Sequence, residues 1–244
     1  MFKKVRGLFK KNSRAVWFNV ATLNLFVSRA NVRQFLLDIE ATGAPTLVCL
    51  QEGWDKFSQP DTEYVKKQLL PGWLMAHGEG PLASLVILWK PEQFEFLRDK
   101  TTKVHDGEGG VTPVRGFFDI IFRHVMQAAP FALIDVHPIS KMRYPERQDR
   151  WYAYKRRLWV RTKFLRWNPN SWFKRMPVIV AGDTNYDKWN PWTGLKDLIF
   201  PGRIKYDRIS YTPHPRLVAR RIQVWGNYGS DHNAEVATFQ LFDR

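Results

Sequence analysis

The stretch Pro177-Val178-Ile179-Val180-Ala181-Gly182-Asp183-Thr184-Asn185 places a short apolar run, a glycine and two polar side chains in immediate succession. An apolar run bounded by proline and glycine predicts a buried strand. In open α/β sheets, ligands bind beyond the carboxyl ends of the strands, so Asp183 and Asn185 are candidate site residues. Aspartate and asparagine also favour turns, and the stretch alone leaves a purely structural turn open.

Other predicted strands also end on polar side chains. An alternating segment over residues 16–20 leads to Asn24, and the apolar run 46–50 leads to Glu52. A helix predicted after Ser28 lies between them, and strand–helix–strand is typical of α/β proteins. The polar residues at predicted strand ends are Asn24, Glu52, His137, Asp183, Asn185, Asp207, Asp231 and His232. Each alone also fits a backbone cap or a structural histidine.

The remaining pattern predicts more strands and one long basic helix. Residues 83–89 are strand-like, and we expect 94–97 to pair beside them. Segments 116–122 and 131–136 read as neighbouring strands, and two more strands are expected at 221–225 and 234–241. Between Glu146 and Trp167, apolar residues recur at helical spacing, which predicts a surface helix with arginine and lysine on its outer face.

Length and composition favour one folded domain. The chain has 244 residues, 44% of them hydrophobic, with 11 tryptophans, which argues against disorder. Without a repeat or a low-complexity linker, we expect a basic arm at 1–14 and a single domain at 15–244. The one cysteine, Cys49, excludes an intramolecular disulfide and a cysteine-rich zinc site. No apolar run approaches the ~18 residues of a membrane span and no signal peptide is recognised, so we expect a cytoplasmic monomer.

The net charge of +15 is concentrated in two segments. Residues 1–14 carry six Lys or Arg and no acid, and residues 141–175 carry twelve against Glu146 and Asp149. Local basic excess of this size predicts a polyanionic partner: nucleic acid first, and an anionic membrane contacted by the N-terminus second. A solvated charged surface without a partner is the structural alternative.

Four motifs resemble, in order, the signatures of the endonuclease/exonuclease/phosphatase superfamily. They are Leu50-Gln51-Glu52, Ala181-Gly182-Asp183-Thr184-Asn185, Tyr206-Asp207-Arg208-Ile209 and Gly229-Ser230-Asp231-His232. Asn24 matches the asparagine that ends the first strand of this superfamily. Its members include DNase I, AP endonucleases, sphingomyelinases and inositol polyphosphate phosphatases. The resemblance covers about residues 15–242 and implies an α/β fold, the four-layer α/β/β/α sandwich.

The resemblance also implies a Mg²⁺ or Mn²⁺ site. Both ions prefer hard oxygen ligands such as carboxylate and amide groups. Glu52 is the first candidate ligand, with Asn24 beside it and Asp231 completing the set. The cation would offset charge that grows on the phosphoryl oxygens during hydrolysis.

The same resemblance assigns the proton chemistry. His232 is the candidate general base, and Asp207 would fix its tautomer. Asp183 would orient or deprotonate the attacking water, and Asn185 would donate to a phosphoryl oxygen. His137 would donate to a non-bridging oxygen or protonate the leaving oxygen. Histidine at this position resembles DNase I and the phosphatase branches, whereas the AP endonucleases have tyrosine.

Three functions are consistent with the sequence. The first is a nuclease acting on DNA or RNA, because residues 141–175 interleave twelve cations with nine aromatic residues that could contact phosphates and bases. The second is a phosphatase or phospholipase C-type enzyme acting on inositol or lipid phosphates. The third is a nucleic-acid-binding module without catalysis. The candidate nucleic-acid contacts are Arg143, Arg147, Arg150, Lys155, Arg156 and Arg157.

Overall fold

The computed structural model describes residues 15–53, 61–105, 114–127, 129–138, 148–166, 176–185, 196–198 and 206–242. The strands are β1 (Ala15–Asn24), β2 (Thr46–Gln51), β3 (Leu74–His77), β4 (Val86–Trp89), β5 (Phe94–His105), β6 (Arg115–His124), β7 (Phe131–Val136), β8 (Val178–Asp183), β9 (Lys196–Leu198), β10 (Asp207–Tyr211), β11 (Leu217–Val224) and β12 (Glu235–Phe242). The helices are α1 (Val32–Ala41), α2 (Thr62–Lys66) and α3 (Gln148–Arg166), with a 3₁₀ turn at Gly80–Leu82.

The first sheet has the strand order β11-β12-β1-β2-β4-β3. Its central strands β1 and β2 are parallel, and α1 crosses between them. Asn31 begins α1 by accepting a hydrogen bond from the backbone N–H of Gln34, which satisfies one of the free donors at the helix start. The apolar face of α1 is buried against the first sheet.

The second sheet repeats this arrangement with the order β5-β6-β7-β8-β10-β9. Strands β7 and β8 are parallel, and α3 forms the crossover between them. All other pairings in this sheet are antiparallel. Each sheet therefore contains one parallel strand–helix–strand unit whose strands point the same way.

Three hydrophobic layers hold the elements together. The largest lies between the two sheets and includes Phe18, Phe131 and Phe239. A second layer packs α1 and α2 on the first sheet, and a third packs α3 on the second sheet. The predicted four-layer α/β/β/α sandwich is confirmed.

Most predicted elements are present, but the placement expected for residues 94–97 is wrong. This segment begins β5, which pairs with β6 in the second sheet rather than with β4 in the first. Phe94 is buried between the sheets and Phe96 stacks on Trp89, so the segment does lie close to β4 but across the sheet interface. An alternating apolar pattern identifies a half-buried strand, but it does not say which of two facing sheets the strand joins. Strands β3 and β9 were not predicted.

Helix α3 corrects one proposed surface contact. Trp151, Tyr154, Leu158 and Leu165 are buried against the second sheet, as their spacing predicts. Lys155 is also buried, and its Nζ lies 4.5 Å from the centroid of the Trp151 ring, so it does not belong with the exposed Arg156 and Arg157.

The predicted arm at 1–14 and the contacts Arg143 and Arg147 lie outside the described residues. Within the described ranges, no helix is long and apolar enough to cross a membrane.

Candidate active site

The carboxyl ends of the two parallel strand pairs meet at one edge of the sandwich. Strands β1 and β2 end at Asn24 and Gln51, and β7 and β8 end next to His137 and at Asp183. The Nδ2 of Asn24 donates to Oδ2 of Asp183 at 3.0 Å, and this bond joins the first sheet to the second. Polar side chains that are distant in sequence converge here, because the parallel strands of both sheets have their carboxyl ends at this edge.

One cluster of possible metal ligands lies at this edge. Single ligand atoms of Glu52, His137 and Asp183 all lie within 4.8 Å of one another. Nε2 of His137 is 3.3 Å from Oε1 of Glu52 and 3.6 Å from Oδ2 of Asp183. His137 and Asp183 are buried, whereas the Glu52 side chain retains 23% exposure and opens the cluster to solvent.

The electrostatics of the cluster keep Glu52 ionised. Burial alone would raise the pKa of Glu52, but the hydrogen bond and charge of His137, together with the charge of Arg115, hold the pKa at about 2. Glu52 also has a left-handed backbone with φ of 58°. That conformation is uncommon for residues with a Cβ and is typical of positions that a site holds in place.

A second group extends from Asp183 to His232. The Nδ1–H of His232 donates to Oδ2 of Asp207 at 2.5 Å, and Nε2 of His232 lies 4.0 Å from Oδ2 of Asp183. Burial lowers the pKa of His232, but the hydrogen bond and charge of Asp207, with the charge of Asp183, raise it to about 9. Burial, followed by the charge of Asp207, raises the pKa of Asp183. A pKa of about 9 favours the imidazolium form of His232 at neutral pH.

The backbone around Asp183 accounts for the Gly-Asp-Thr-Asn sequence. Gly182 has φ of 137°, and a Cβ there would lie 2.2 Å from the carbonyl oxygen of Val136 on the neighbouring strand. Asn185 is left-handed with φ of 51°, and its N–H donates to Oδ1 of Asp183 at 2.6 Å. Its Nδ2 donates to the carbonyl oxygen of Pro138 at 3.1 Å, so Asn185 links β8 to the residues that follow β7.

Ser230 ties the His232 segment to β1. Its hydroxyl donates to the carbonyl oxygen of Asn24 at 2.6 Å and accepts from the N–H of His232 at 3.0 Å. Asp231 points outward from this turn, with a side chain 54% exposed and Oδ1 3.7 Å from Nε2 of His232. It therefore lies at the rim rather than among the buried ligands.

The donor set of the site fits a divalent cation. Glu52 and Asp183 offer carboxylate oxygens and His137 offers Nε2, while the Nδ1 of His137 is buried without a hydrogen-bond partner among the described residues. Carboxylates suit Mg²⁺ and Mn²⁺, and an added imidazole also accommodates later transition metals. Of the ligands predicted from sequence, the structure places Glu52 and Asn24 at this cluster, while His137 and Asp183 were predicted for other roles.

Sequence reasoning missed two features beneath the site. Nε2 of Gln51 donates to Oδ1 of the fully buried Asp135 at 2.6 Å, which links β2 to β7 directly under Glu52 and His137. Arg115, at the start of β6, adds positive charge that acts on Glu52. Gln51 and Asp135 are polar residues inside apolar runs, and this is a signal that the sequence does contain. Nothing in the sequence around Arg115 distinguishes it from other arginines.

The basic helix is attached to the same edge. The hydroxyl of Tyr154 accepts from the N–H of His137 at 3.2 Å and donates to the carbonyl oxygen of Gly116 at 2.6 Å. Farther along α3, Arg161 binds Asp119 through two hydrogen bonds of 3.0 and 2.6 Å. Because Asp119 pairs with Ile134 in mid-sheet, α3 leads away from the site as it proceeds.

Comparison with known proteins agrees with this geometry. The model of the Endonuclease/Exonuclease/phosphatase family matches residues 16–232. No curated protein sequence is similar enough to count as a match.

Three solved structures illustrate the shared fold. TDP2 from D. rerio, complexed with single strand DNA product, has 16% identity and a TM-score of 0.63 over 91% of this chain and 98% of that one. ANGEL2, a 2',3'-cyclic phosphatase, has 12% identity and a TM-score of 0.66 over 93% and 96%. A mannosyl-6-phosphatase from Bacteroides thetaiotaomicron has 13% identity and a TM-score of 0.67 over 91% and 99%.

Proposed function

The chain belongs to the endonuclease/exonuclease/phosphatase family, and on that basis we propose that it is a metal-dependent phosphodiesterase that hydrolyses nucleic acid. The observation that carries the proposal is the convergence on Asp183. Its Oδ2 accepts from Asn24 and lies 3.6 Å from His137 and 4.0 Å from His232. A buried carboxylate between two histidines and next to Glu52 is suited to holding a water against a phosphate.

A divalent cation fits the side of this site that opens to solvent. Glu52 would hold it, with waters in the remaining positions, because its carboxylate is the member of the cluster that is open to solvent. Asn24 contacts the site through its amide nitrogen, since its Nδ2 donates to Asp183 and its Oδ1 accepts from the backbone N–H of Phe26. When bound, the cation supplies positive charge to the phosphoryl oxygens. Asp231, at the rim of the site, would contact the cation through a water molecule.

The side chains in the buried part of the site accept and donate protons and hydrogen bonds. Asp183 orients the attacking water and takes its proton, because its pKa is raised by burial and it faces the incoming group. His232, held by Asp207, presents Nε2 to the same space and offsets the charge of the transition state. As the water oxygen bonds to phosphorus, the bond to the leaving oxygen breaks and His137 would protonate that oxygen, while the second amide N–H of Asn185 would donate to a phosphoryl oxygen.

Two features favour nucleic acid as the substrate. The exposed cations Arg156 and Arg157 lie on the helix that Tyr154 attaches to the site, and cations of this kind bind phosphate backbones. One structure of similar fold, TDP2, is complexed with single strand DNA product. Arg150 lies on the same helix, about one turn before Tyr154.

A second candidate function is hydrolysis of smaller phosphate esters, including inositol or lipid phosphates. Two proteins of similar fold are a 2',3'-cyclic phosphatase and a mannosyl-6-phosphatase. The chemistry at Asp183 would be the same, and only the groups around the phosphate would differ.

A substrate panel tests the proposal. Purified protein is incubated with Mg²⁺ and single-stranded DNA, RNA, duplex plasmid, inositol phosphates and phospholipid vesicles, and each product is quantified. We expect cleavage of nucleic acid that EDTA and Glu52→Gln each abolish. Glu63→Gln on α2 is the matched control, because Glu63 is an exposed glutamate outside the site. Turnover of inositol or lipid phosphates alone would establish the second candidate, and cleavage that persists in EDTA would refute the metal-dependent mechanism.

A further inference from the structure

The outer face of α3 carries a ridge of exposed side chains in which a cation lies among aromatic and apolar residues. Tyr152, Arg156, Val160 and Phe164 follow one another at intervals of four residues, and all four are exposed. Side chains spaced by four form a continuous ridge along a helix. Tyr152 is 45% exposed, and Val160 and Phe164 are each 50% exposed, although the opposite face of α3 is buried in the third hydrophobic layer.

The ridge is flanked by positive charge. Arg157 and Lys163 are exposed beside it, and Asp149, in the first turn, is the one acidic residue of α3. Lys163 lies over the ring of the half-buried Trp159, with its Nζ 4.0 Å from the ring centroid. Exposed rings separated by cations are the combination that binds single-stranded nucleic acid, since rings stack on bases and cations contact phosphates.

Along the axis of α3, the ridge begins near the level of the active site, on the face opposite to Tyr154, and leads away from the site. Tyr152 lies half a turn from Tyr154, which binds the backbone of His137. Each four-residue step advances about 6 Å along the helix, and Phe164 lies about 18 Å beyond Tyr152. Successive phosphates of an extended nucleotide strand are separated by six bonds and repeat over a comparable distance.

We propose that the outer face of α3 binds a single-stranded segment of nucleic acid whose other end enters the active site. This inference rests on the proposed function and adds to it a preference for long, unpaired substrates. The competing occupant is an anionic membrane. Membrane insertion requires a contiguous apolar face, whereas Arg156 and Lys163 interrupt the exposed apolar side chains.

Binding is measured separately from turnover. Fluorescence anisotropy in EDTA follows fluorescent oligonucleotides of about 4 and about 16 nucleotides, which span the site sizes of single-strand-binding domains. The variants are Tyr152→Ala/Phe164→Ala and Arg156→Ala/Lys163→Ala. The matched control is Arg33→Ala/Leu37→Ala, which removes an exposed cation and an exposed apolar side chain from α1 in the opposite layer.

We expect the ring variant to bind the longer oligonucleotide at least about fivefold more weakly and the shorter one almost unchanged. The charge variant should also bind the longer oligonucleotide more weakly, with a smaller salt dependence than the wild type. Control-like affinity for the longer oligonucleotide in both variants would overturn the inference. So would intact oligonucleotide binding together with lost binding to phosphatidylserine vesicles, which would assign the ridge to a membrane.

Turnover of bis(p-nitrophenyl) phosphate, a small diester that cannot reach the ridge, separates this inference from the proposed function. Unchanged turnover in the ridge variants, with weaker binding of the longer oligonucleotide, supports both. Ridge-dependent binding by a wild-type protein that cleaves no phosphodiester would refute the proposed function and leave the binding surface established.

Discussion

Asp183 and Asp207 lie directly opposite each other on the antiparallel strands β8 and β10, and His232 contacts both carboxylates. Two carboxylates so close repel each other, and the charge of Asp207 is one reason why the pKa of Asp183 is raised. The imidazole compensates, which explains why its own pKa is raised to about 9. The three side chains therefore form one electrostatic unit in the proposed catalytic site.

Replacing members of this unit tests whether they act together. His232→Ala should lower kcat roughly 10²–10³-fold, because the site loses the cation that offsets the charge of the transition state. Asp207→Asn should lower kcat by a similar factor, because the imidazole loses its charged partner. The double variant should be little worse than either single variant, since groups acting as a unit are not additive. Steady-state kinetics give these values, with His214→Ala, at the other end of β10, as the control. A double variant whose loss of kcat equals the product of the two single losses would show that the residues act independently and would contradict this prediction.

Gly182→Ala tests the backbone that presents Asp183. The new Cβ would lie 2.2 Å from the carbonyl oxygen of Val136, and φ of 137° is strained for any residue with a Cβ. We expect a loss of unfolding free energy of roughly 1–3 kcal/mol or more, measured by urea denaturation. Gly226→Ala is the control, since no atom lies within 4 Å of its Cβ position. Equal stability of the two variants would refute the steric argument.

The buried ion pair of α3 gives a prediction about stability away from the site. Asp119 accepts both hydrogen bonds of Arg161 in a buried setting. Asp119→Ala leaves a buried guanidinium unpaired and should cost about 3–5 kcal/mol of unfolding free energy. The double variant Asp119→Leu/Arg161→Met should recover most of this loss. A double variant no more stable than Asp119→Ala would show that the single variant fails for another reason.

The burial of His124 predicts that the free energy of unfolding falls at acidic pH. Burial lowers the pKa of His124, and its Nδ1 accepts a hydrogen bond from the N–H of Met126, which requires the neutral ring. The unfolded chain therefore binds a proton near pH 6.5 that the folded chain does not bind. Stability is unaffected above that pH and falls as the pH drops toward the lowered folded-state pKa.

Denaturation at several pH values measures this contribution. His124→Asn keeps an acceptor for Met126 and should lose less stability than the wild type between about pH 7 and 5. His77→Gln, at an exposed histidine, should keep the wild-type dependence. An unchanged slope in His124→Asn would contradict the assignment.

The sequence indicated much of the site because its residues end strands. An apolar run followed by a polar residue is a local pattern, and it marked Asn24, Glu52 and Asp183 as candidate site residues before any pairing was known. Which of these side chains touch depends on how two sheets face each other, and local pattern carries no such information. The 3.3 Å approach of His137 to Glu52 and the Gln51–Asp135 bond between sheets could only be seen in the folded structure.

Lys155 shows a different kind of failure. It follows Trp151 by four residues and precedes Leu158 by three, so helical periodicity already placed it on the buried face. Its charge led to the surface interpretation, but the side chain is buried and its ammonium group lies over the Trp151 ring. Long cationic side chains often bury their stems in this way.

The most direct test of the account follows the oxygen that enters the product. A single-stranded oligonucleotide is cleaved with Mg²⁺ in heavy-oxygen water, and the new terminal phosphate is analysed by mass spectrometry. If Asp183 activates a water that attacks phosphorus, the wild type and Glu63→Gln should each place one heavy oxygen in that phosphate, and Asp183→Asn should give almost no product. A product without the heavy oxygen, or undiminished cleavage by Asp183→Asn, would contradict the account.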